Sequence, residues 1–270
     1  MTDNPVIFDR QRVRMHRNRA VRMGGDDFLK REMIGRAIER LEEMNRNFDV
    51  TIELGAHAGS FLKSKPACMH TLIQTDISEA MMRQASGLRI VADEERIPIR
   101  NEVADLCISV SSLHWVNDLP GVLVQIQRLL KPGGLFLAIM PGGQTLMELR
   151  QSFEKAEMEI TGGISPRISP FIDARDAAGL LQRTGFSDPV VDSDLLLLEY
   201  DHPLKLLKEL QAMGEANVLI HSSKHFTPVS VMMLMADIYL REHMNKAGRI
   251  PASIELVTMT AWKPQVRTKL

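Results

Sequence analysis

The chain is 270 residues long, with 33 basic and 34 acidic side chains and a formal net charge of −1. That length buries a substantial core. The near-zero charge excludes the broad basic field of a nucleic-acid binder or of a protein held to an anionic membrane. No run reaches the roughly 18 apolar residues that a bilayer-spanning helix needs. Cys68 and Cys107 lie in apolar segments, and neither has a second Cys or a His at metal-ligand spacing, so a reducing cytoplasm is the expected compartment. The start has no apolar core of a secretory signal. Arg10, Arg12, Arg14, Arg17, Arg19 and Arg22 look superficially like a transit peptide, but Asp3 and Asp9 interrupt that pattern.

From 27 to 45 apolar residues recur at Phe28, Met33, Ile34, Ala37, Ile38 and Leu41, predicting an amphipathic helix. The period then changes. A β-rich run over 50–55 ends on Gly55, and a second over 71–76 ends on Asp76, with a short helical stretch between them. Ser78 is a good N-cap for a helix through Ala80, Met81 and Met82. A third strand is expected over 88–92 and a fourth over 104–111. The helix over 119–130 breaks at Lys131-Pro132-Gly133-Gly134, and a fifth strand over 135–140 follows at once. Strands alternating with helices imply parallel βαβ units. Farther on, helices are expected over 145–160, 173–184, 203–213 and 228–244, and strands over 195–200 and 253–262. The stretch between those last strands is too long for a hairpin and helical in pattern, which reads as a lid. The expectation is one domain over 1–270, with an N-terminal helical segment over 1–47 and a helical insertion over 203–250.

Nucleoside cofactors bind at the carboxyl ends of such a sheet. The first loop there is Glu53-Leu54-Gly55-Ala56-His57-Ala58-Gly59, whose small residues allow close backbone approach. Asp76 follows Gly55 by twenty-one residues, the spacing at which an acid accepts from both ribose hydroxyls. It can equally serve as a turn acid before Ser78. Asp93, in the run Ala92-Asp93-Glu94-Glu95, is placed to accept from an adenine amine. The fourth strand leads into Ser111-Ser112-Leu113-His114-Trp115, which sets hydroxyls and an imidazole where a substrate would meet the cofactor. His114 is a weak candidate for proton transfer, and packing under the lid is the other reading of it.

Together, the glycine loop, the acids after strands two and three, the Ser-Ser-Leu-His-Trp stretch and Lys131-Pro132-Gly133-Gly134 resemble the class I S-adenosylmethionine-dependent methyltransferases. More narrowly, several motifs resemble the bacterial relatives of mitochondrial complex I assembly factor 5. These are Ile7-Phe8-Asp9-Arg10, Ala92-Asp93-Glu94-Glu95, the run 113–120, the run 162–171 and Met213-Gly214-Glu215-Ala216-Asn217. That resemblance covers nearly the whole chain. The methyltransferase of biotin synthesis that caps malonyl-acyl-carrier protein is a more distant likeness.

The resemblance implies an α/β, Rossmann-like, seven-stranded and mostly parallel sheet with an antiparallel last strand. It also implies a pocket for S-adenosylmethionine, with S-adenosylhomocysteine as the product, formed by Glu53, Gly55, Ala56, His57, Gly59, Asp76, Ile77, Asp93, Glu94, Ser111 and Leu113. For the mitochondrial member it implies hydroxylation of an arginine in an iron-sulfur subunit of complex I. No metal triad carries over, and His57, His70 and His114 are metal candidates only by default. At His57 the family loop usually has Gly, so the imidazole there either points away, fills cofactor volume or alters the loop path.

The expectation is a bacterial protein of the cytoplasm or the inner face of the membrane, with no nucleic-acid partner, that modifies a protein substrate of complex I by methyl transfer or hydroxylation. A non-catalytic assembly chaperone and a small-molecule or acyl-carrier methyltransferase are the rivals.

Overall fold

The structure is a computed structural model that describes residues 6–24, 27–223 and 225–265. Its sheet comprises β1 (Phe48–Leu54), β2 (Met69–Asp76), β3 (Leu88–Val91), β4 (Ala104–Val110), β5 (Leu130–Pro141), β6 (Ser187–Tyr200) and β7 (Ile250–Trp262), in the order β3-β2-β1-β4-β5-β7-β6. The pairs among β1 to β5 are parallel, and β7 runs antiparallel to both β5 and β6. This is the seven-stranded sheet with an antiparallel last strand that the resemblance implies. The reversal of strand order at β1 and β4 opens a crevice at their carboxyl ends, where the glycine loop and the residues after β4 emerge.

Helices cover both faces. α2 (Phe28–Glu43) buries Met33, Ile34, Ala37 and Leu41, spaced to fall on one face. It shares one core with α6 (Met147–Thr161), α8 (Pro203–Met213) and α9 (Val229–His243). Burial of each large apolar side chain contributes about 1.5–3 kcal/mol. On the opposite face, α5 (Leu119–Leu129) and α7 (Ala174–Arg183) pack Leu123, Ile126 and Leu181 with Phe136 of β5 into a second core. α3 (Ser60–Lys63) and α4 (Glu79–Gln84) complete the first half, with Ser78 Oγ accepting from Met81 N as the cap of α4.

Before α2 lies α1 (Arg10–Met23), capped by Asp9, which accepts from the backbone N–H groups of Gln11 and Arg12. α1 and α2 fall in the expected helical segment 1–47, of which 1–5, 25 and 26 lie outside the described residues. β6 begins eight residues earlier than its apolar run suggests. Its first half, Ser-Asp-Pro-Val-Val-Asp-Ser-Asp, has the composition of a turn, yet β7 pairs with it from Ser187 onward.

Candidate functional site

The sequence-predicted acids converge, and an arginine from α1 lies among them. At 3.6 residues per turn Arg10, Val13, Arg17 and Ala20 fall on one stripe of α1, which faces inward, while Arg14, Arg19 and Arg22 face solvent. Arg17 is 1% exposed. Its Nη1 donates to Asp76 Oδ2 at 2.9 Å and to Glu94 Oε1 at 3.2 Å, and its Nη2 donates to Ser112 Oγ at 3.1 Å. Two turns earlier on that stripe, Arg10 donates to Asp93 Oδ1 at 2.6 Å and to the Trp115 carbonyl at 3.0 Å, and it also pairs with Glu94. Burial by itself would raise the Glu94 pKa, but Arg17, Arg10 and the Ser112 hydroxyl outweigh it and hold the carboxyl well below the usual range.

Asp76 makes the turn contact expected before Ser78 and also binds the glycine loop and Arg17. Its Oδ1 accepts from Ser78 N at 2.7 Å, a turn contact, and its Oδ2 accepts from His57 N at 3.0 Å as well as from Arg17. Gly55 has φ +69°, and a Cβ there would collide with the Ser112 side chain, so the loop and the end of β4 meet where only glycine fits. His57 has φ 52°, the left-handed region. Glycine would adopt this backbone conformation freely, whereas a residue bearing a Cβ carries a strain of about 1–2 kcal/mol. The imidazole is buried, not turned to solvent. Its Nε2 has no partner among the described residues, and burial, reinforced by Lys30 and Arg17, lowers its pKa well below the ordinary value and keeps it neutral.

Lys30 of α2, also buried, donates from Nζ to the Gly55 carbonyl at 2.8 Å. Beside it Glu53 is fully buried, and neither carboxylate oxygen has a partner among the described residues. Burial raises the Glu53 pKa to about 7, against the lowering effect of Lys30.

Ala56 packs with Met82 and Ala85, and Gly59 at φ +77° starts α3. Ile77 lies in a small cluster with Phe8, Val13 and Trp115 beneath the start of α1. Ser111 has φ 54° and lines a cavity of about 260 Å³. Leu113 sits apart: its side chain packs in the core with Leu54 and Val116. His70 stands at the start of β2, exposed and 2.9 Å from Asp49, at the opposite end of that strand from Asp76. Among the described residues no group of three His, Cys, Asp or Glu side chains forms a metal site.

The residues that sequence reasoning missed are Arg10, Arg17, Lys30 and Glu215. The one signal for the first two is their spacing, seven positions apart on the same stripe as Val13 and Ala20. Glu215, between α8 and α9, accepts from Trp115 Nε1 at 2.8 Å and lies 3.0 Å from His114 Nε2. Three of the motifs singled out in the sequence meet here. The run 113–120 supplies His114, the run 162–171 supplies Arg167, and Asn217 donates to the Pro166 carbonyl at 2.9 Å. All three border one cavity.

Sheet order, glycine loop and strand-end acids together define a protein of the class I S-adenosylmethionine-dependent methyltransferase superfamily. The family described as a methyltransferase domain matches residues 52–138. Solved structures agree in fold. The YcgJ protein of Bacillus subtilis superposes with a TM-score of 0.61 at 13% identity, covering 87% of this chain and 99% of its own. A putative methyltransferase of Bacillus halodurans gives 0.55 at 12%, covering 81% and 94%. Among sequences, the chain is 37% identical over 266 residues to the human protein named arginine-hydroxylase NDUFAF5, mitochondrial, covering 95% of this chain and 77% of that one. It is 29% identical over 290 residues to a malonyl-[acyl-carrier protein] O-methyltransferase of Methylovorus, covering 100% and 94%. Within the superfamily, the chain belongs to the NDUFAF5 family.

Proposed function

We propose that this protein binds S-adenosylmethionine at the carboxyl end of β1, β2 and β4 and modifies a side chain of a protein substrate, an iron-sulfur subunit of complex I, in the bacterial cytoplasm. The carrying observation is the acid cluster of Asp76, Asp93 and Glu94 beside the Gly55 loop, within a chain similar over nearly its whole length to NDUFAF5.

The donor set suits the cofactor. Asp76 offers an acceptor for ribose hydroxyls, Asp93 and Glu94 offer acceptors for an exocyclic amine, and Gly55 lets backbone lie against the ligand. Lys30 places a buried cation beside that loop, as the carboxylate of an amino-acid moiety requires. When bound, S-adenosylmethionine supplies an electrophilic methyl. The protein's own work is to position, to exclude water and to hold protons. In the closed arrangement Arg17 already satisfies Asp76 and Glu94, and the space beside His57 is about 100 Å³. Ligand clefts run from roughly 300 Å³ upward. In this reading α1 and Arg17 therefore give way when the nucleoside enters, and the helices between β6 and β7 form a lid.

Deletion of the gene in its host, followed by mass spectrometry of the complex I subunits, tests the reading. A missing methyl or a missing oxygen on one subunit is expected, and which of the two is lost assigns the reaction. Unchanged subunit masses would overturn it.

A further inference from the structure

β6 ends the sheet on the side away from the proposed cofactor site, with β7 and β5 between it and β4. Along its outer side the backbone N–H and C=O groups meet no strand among the described residues. Proteins blunt such an edge by keeping it short, by placing lysines on it or by covering it. β6 is fourteen residues long, carries no lysine and runs exposed through the four consecutive positions 192–195. Pro189, which would block pairing, stands before this stretch, where the register with β7 is already irregular. Leu195 and Leu197 are 52% and 55% exposed and share one face of the strand. On the other face Leu198 and Tyr200 line a groove of about 620 Å³ beside α8, and Lys205 and Lys208 line it too.

We propose that β6 is the interface of a two-fold dimer: it pairs antiparallel with β6 of a second copy of this chain about an axis at Leu196, joining two seven-stranded sheets into one.

The side chains of β6 are complementary to themselves about that axis. A two-fold perpendicular to the sheet keeps every side chain on its own face and sets residues equally far from Leu196 opposite one another. Leu195 then meets the partner's Leu197, and the reciprocal contact covers four leucines that a single copy leaves in water. On the other face Asp194 stands across from the partner's Leu198, and Asp192 across from the partner's Tyr200. Arg36 and Arg40 of α2 donate to Asp194 and Asp192, which fixes both carboxylates on this face. Because Leu198 and Tyr200 line the groove with Lys205 and Lys208, the acid pair of each copy arrives at the lysines of the other, twice over by symmetry. Glu199 meets the partner's Ser193, so no acid of the strand opposes an acid. Neighbouring registers lose this match. An axis at Asp194 sets that carboxylate against itself, one at Ser193 opposes Asp192 to Asp194, and one at Leu197 opposes Leu195 to Glu199. Nine residues, 192–200, form the new ladder, a length of about 30 Å.

Analytical ultracentrifugation of the full protein between about 1 and about 100 μM tests the pairing. The expected species has twice the 30.4 kDa mass of the chain. Leu197→Lys, at an exposed position, should raise the dissociation constant at least about tenfold while the circular dichroism spectrum stays native. Lys205→Glu combined with Lys208→Glu should do the same by opposing like charges to Asp192 and Asp194. The register is read by cross-linking. Leu195→Cys and Leu197→Cys proteins are oxidised separately and as a mixture, with the unsubstituted protein, which has Cys68 and Cys107, as the baseline. Disulfide-linked dimer should form fastest in the mixture, because positions 195 and 197 stand opposite each other. A monomer at every concentration would leave the edge to a strand of another protein and overturn the inference. So would a dimer indifferent to Leu197→Lys, or cross-linking as fast in either cysteine variant alone as in the mixture.

Discussion

The Arg17 guanidinium stands 2.9 Å from the Asp76 carboxylate, with both side chains buried, so the acid best placed to take a ribose is held by a helix fifty-nine residues away in sequence. Two charges taken out of water hold together only while both are present. Arg17→Met, close in volume and uncharged, leaves Asp76 and Glu94 without their buried partner. The expected loss of stability in the ligand-free protein is about 3–5 kcal/mol. If Arg17 gives way to the nucleoside as proposed above, the same variant should bind S-adenosylhomocysteine at least about tenfold more tightly, the gain expected when a closed form no longer dominates. Calorimetric titration at matched temperature checks this, and weaker binding would make Arg17 a ligand contact.

Asp76→Ala removes a charge-assisted acceptor and with it the anchor for the backbone of His57 and Ser78. Binding of S-adenosylhomocysteine should weaken by about 1.5–3 kcal/mol. The circular dichroism spectrum should keep its native shape, which separates a lost contact from a lost fold. Unchanged affinity would remove Asp76 from the ribose role.

His57→Gly tests the loop. Glycine takes φ 52° without strain and vacates the volume of a buried imidazole. Affinity for S-adenosylhomocysteine is expected to rise, seen as a larger thermal shift at equal ligand concentration. A smaller shift would show that the imidazole touches the ligand.

Glu53 carries a pH signature. Its folded pKa, raised by burial to about 7, exceeds the ordinary glutamate value, so between that value and pH 7 the folded protein binds more protons than the unfolded chain. Stability therefore falls as pH rises through this window, by up to about 3 kcal/mol from this one group. Glu53→Gln should remove that part of the slope and be relatively most stabilising at pH 7 and above. Urea denaturation of both proteins at pH 5 and pH 8 measures it, and equal differences at the two pH values would contradict the assignment.

Strand ends were legible because each pairs an apolar run with a local stop: Gly55 after β1, Asp76 as the last residue of β2, the Ser111-Ser112 pair after β4. These are properties of neighbouring residues. Arg17 was not legible as a site residue, because an arginine among six in a helix reads as a solvated face, and the acids that bury it lie at positions 76 and 94. Its inward direction shows only once the phase of α1 is fixed by Val13 and Ala20. The role of Glu215 was hidden for the same reason: His114 and Trp115, which it orients, are a hundred residues earlier. The early half of β6 looked like a turn because its alternating exposed residues contribute little to a core, and pairing with β7, not apolar content, makes it a strand.

The position of β7 bears on how the chain is made. β6 has β7 as its one sheet neighbour, and β7 also seals β5, yet forty-nine residues separate Tyr200 from Ile250. On the ribosome β1 to β5 can pair as they emerge, whereas β6 waits unpartnered, with Val190, Leu195 and Leu197 exposed, until the last strand is released and slots between two strands already synthesised. Completion of the sheet therefore waits on β7, and a nascent chain stalled before residue 250 presents a long apolar edge to chaperones.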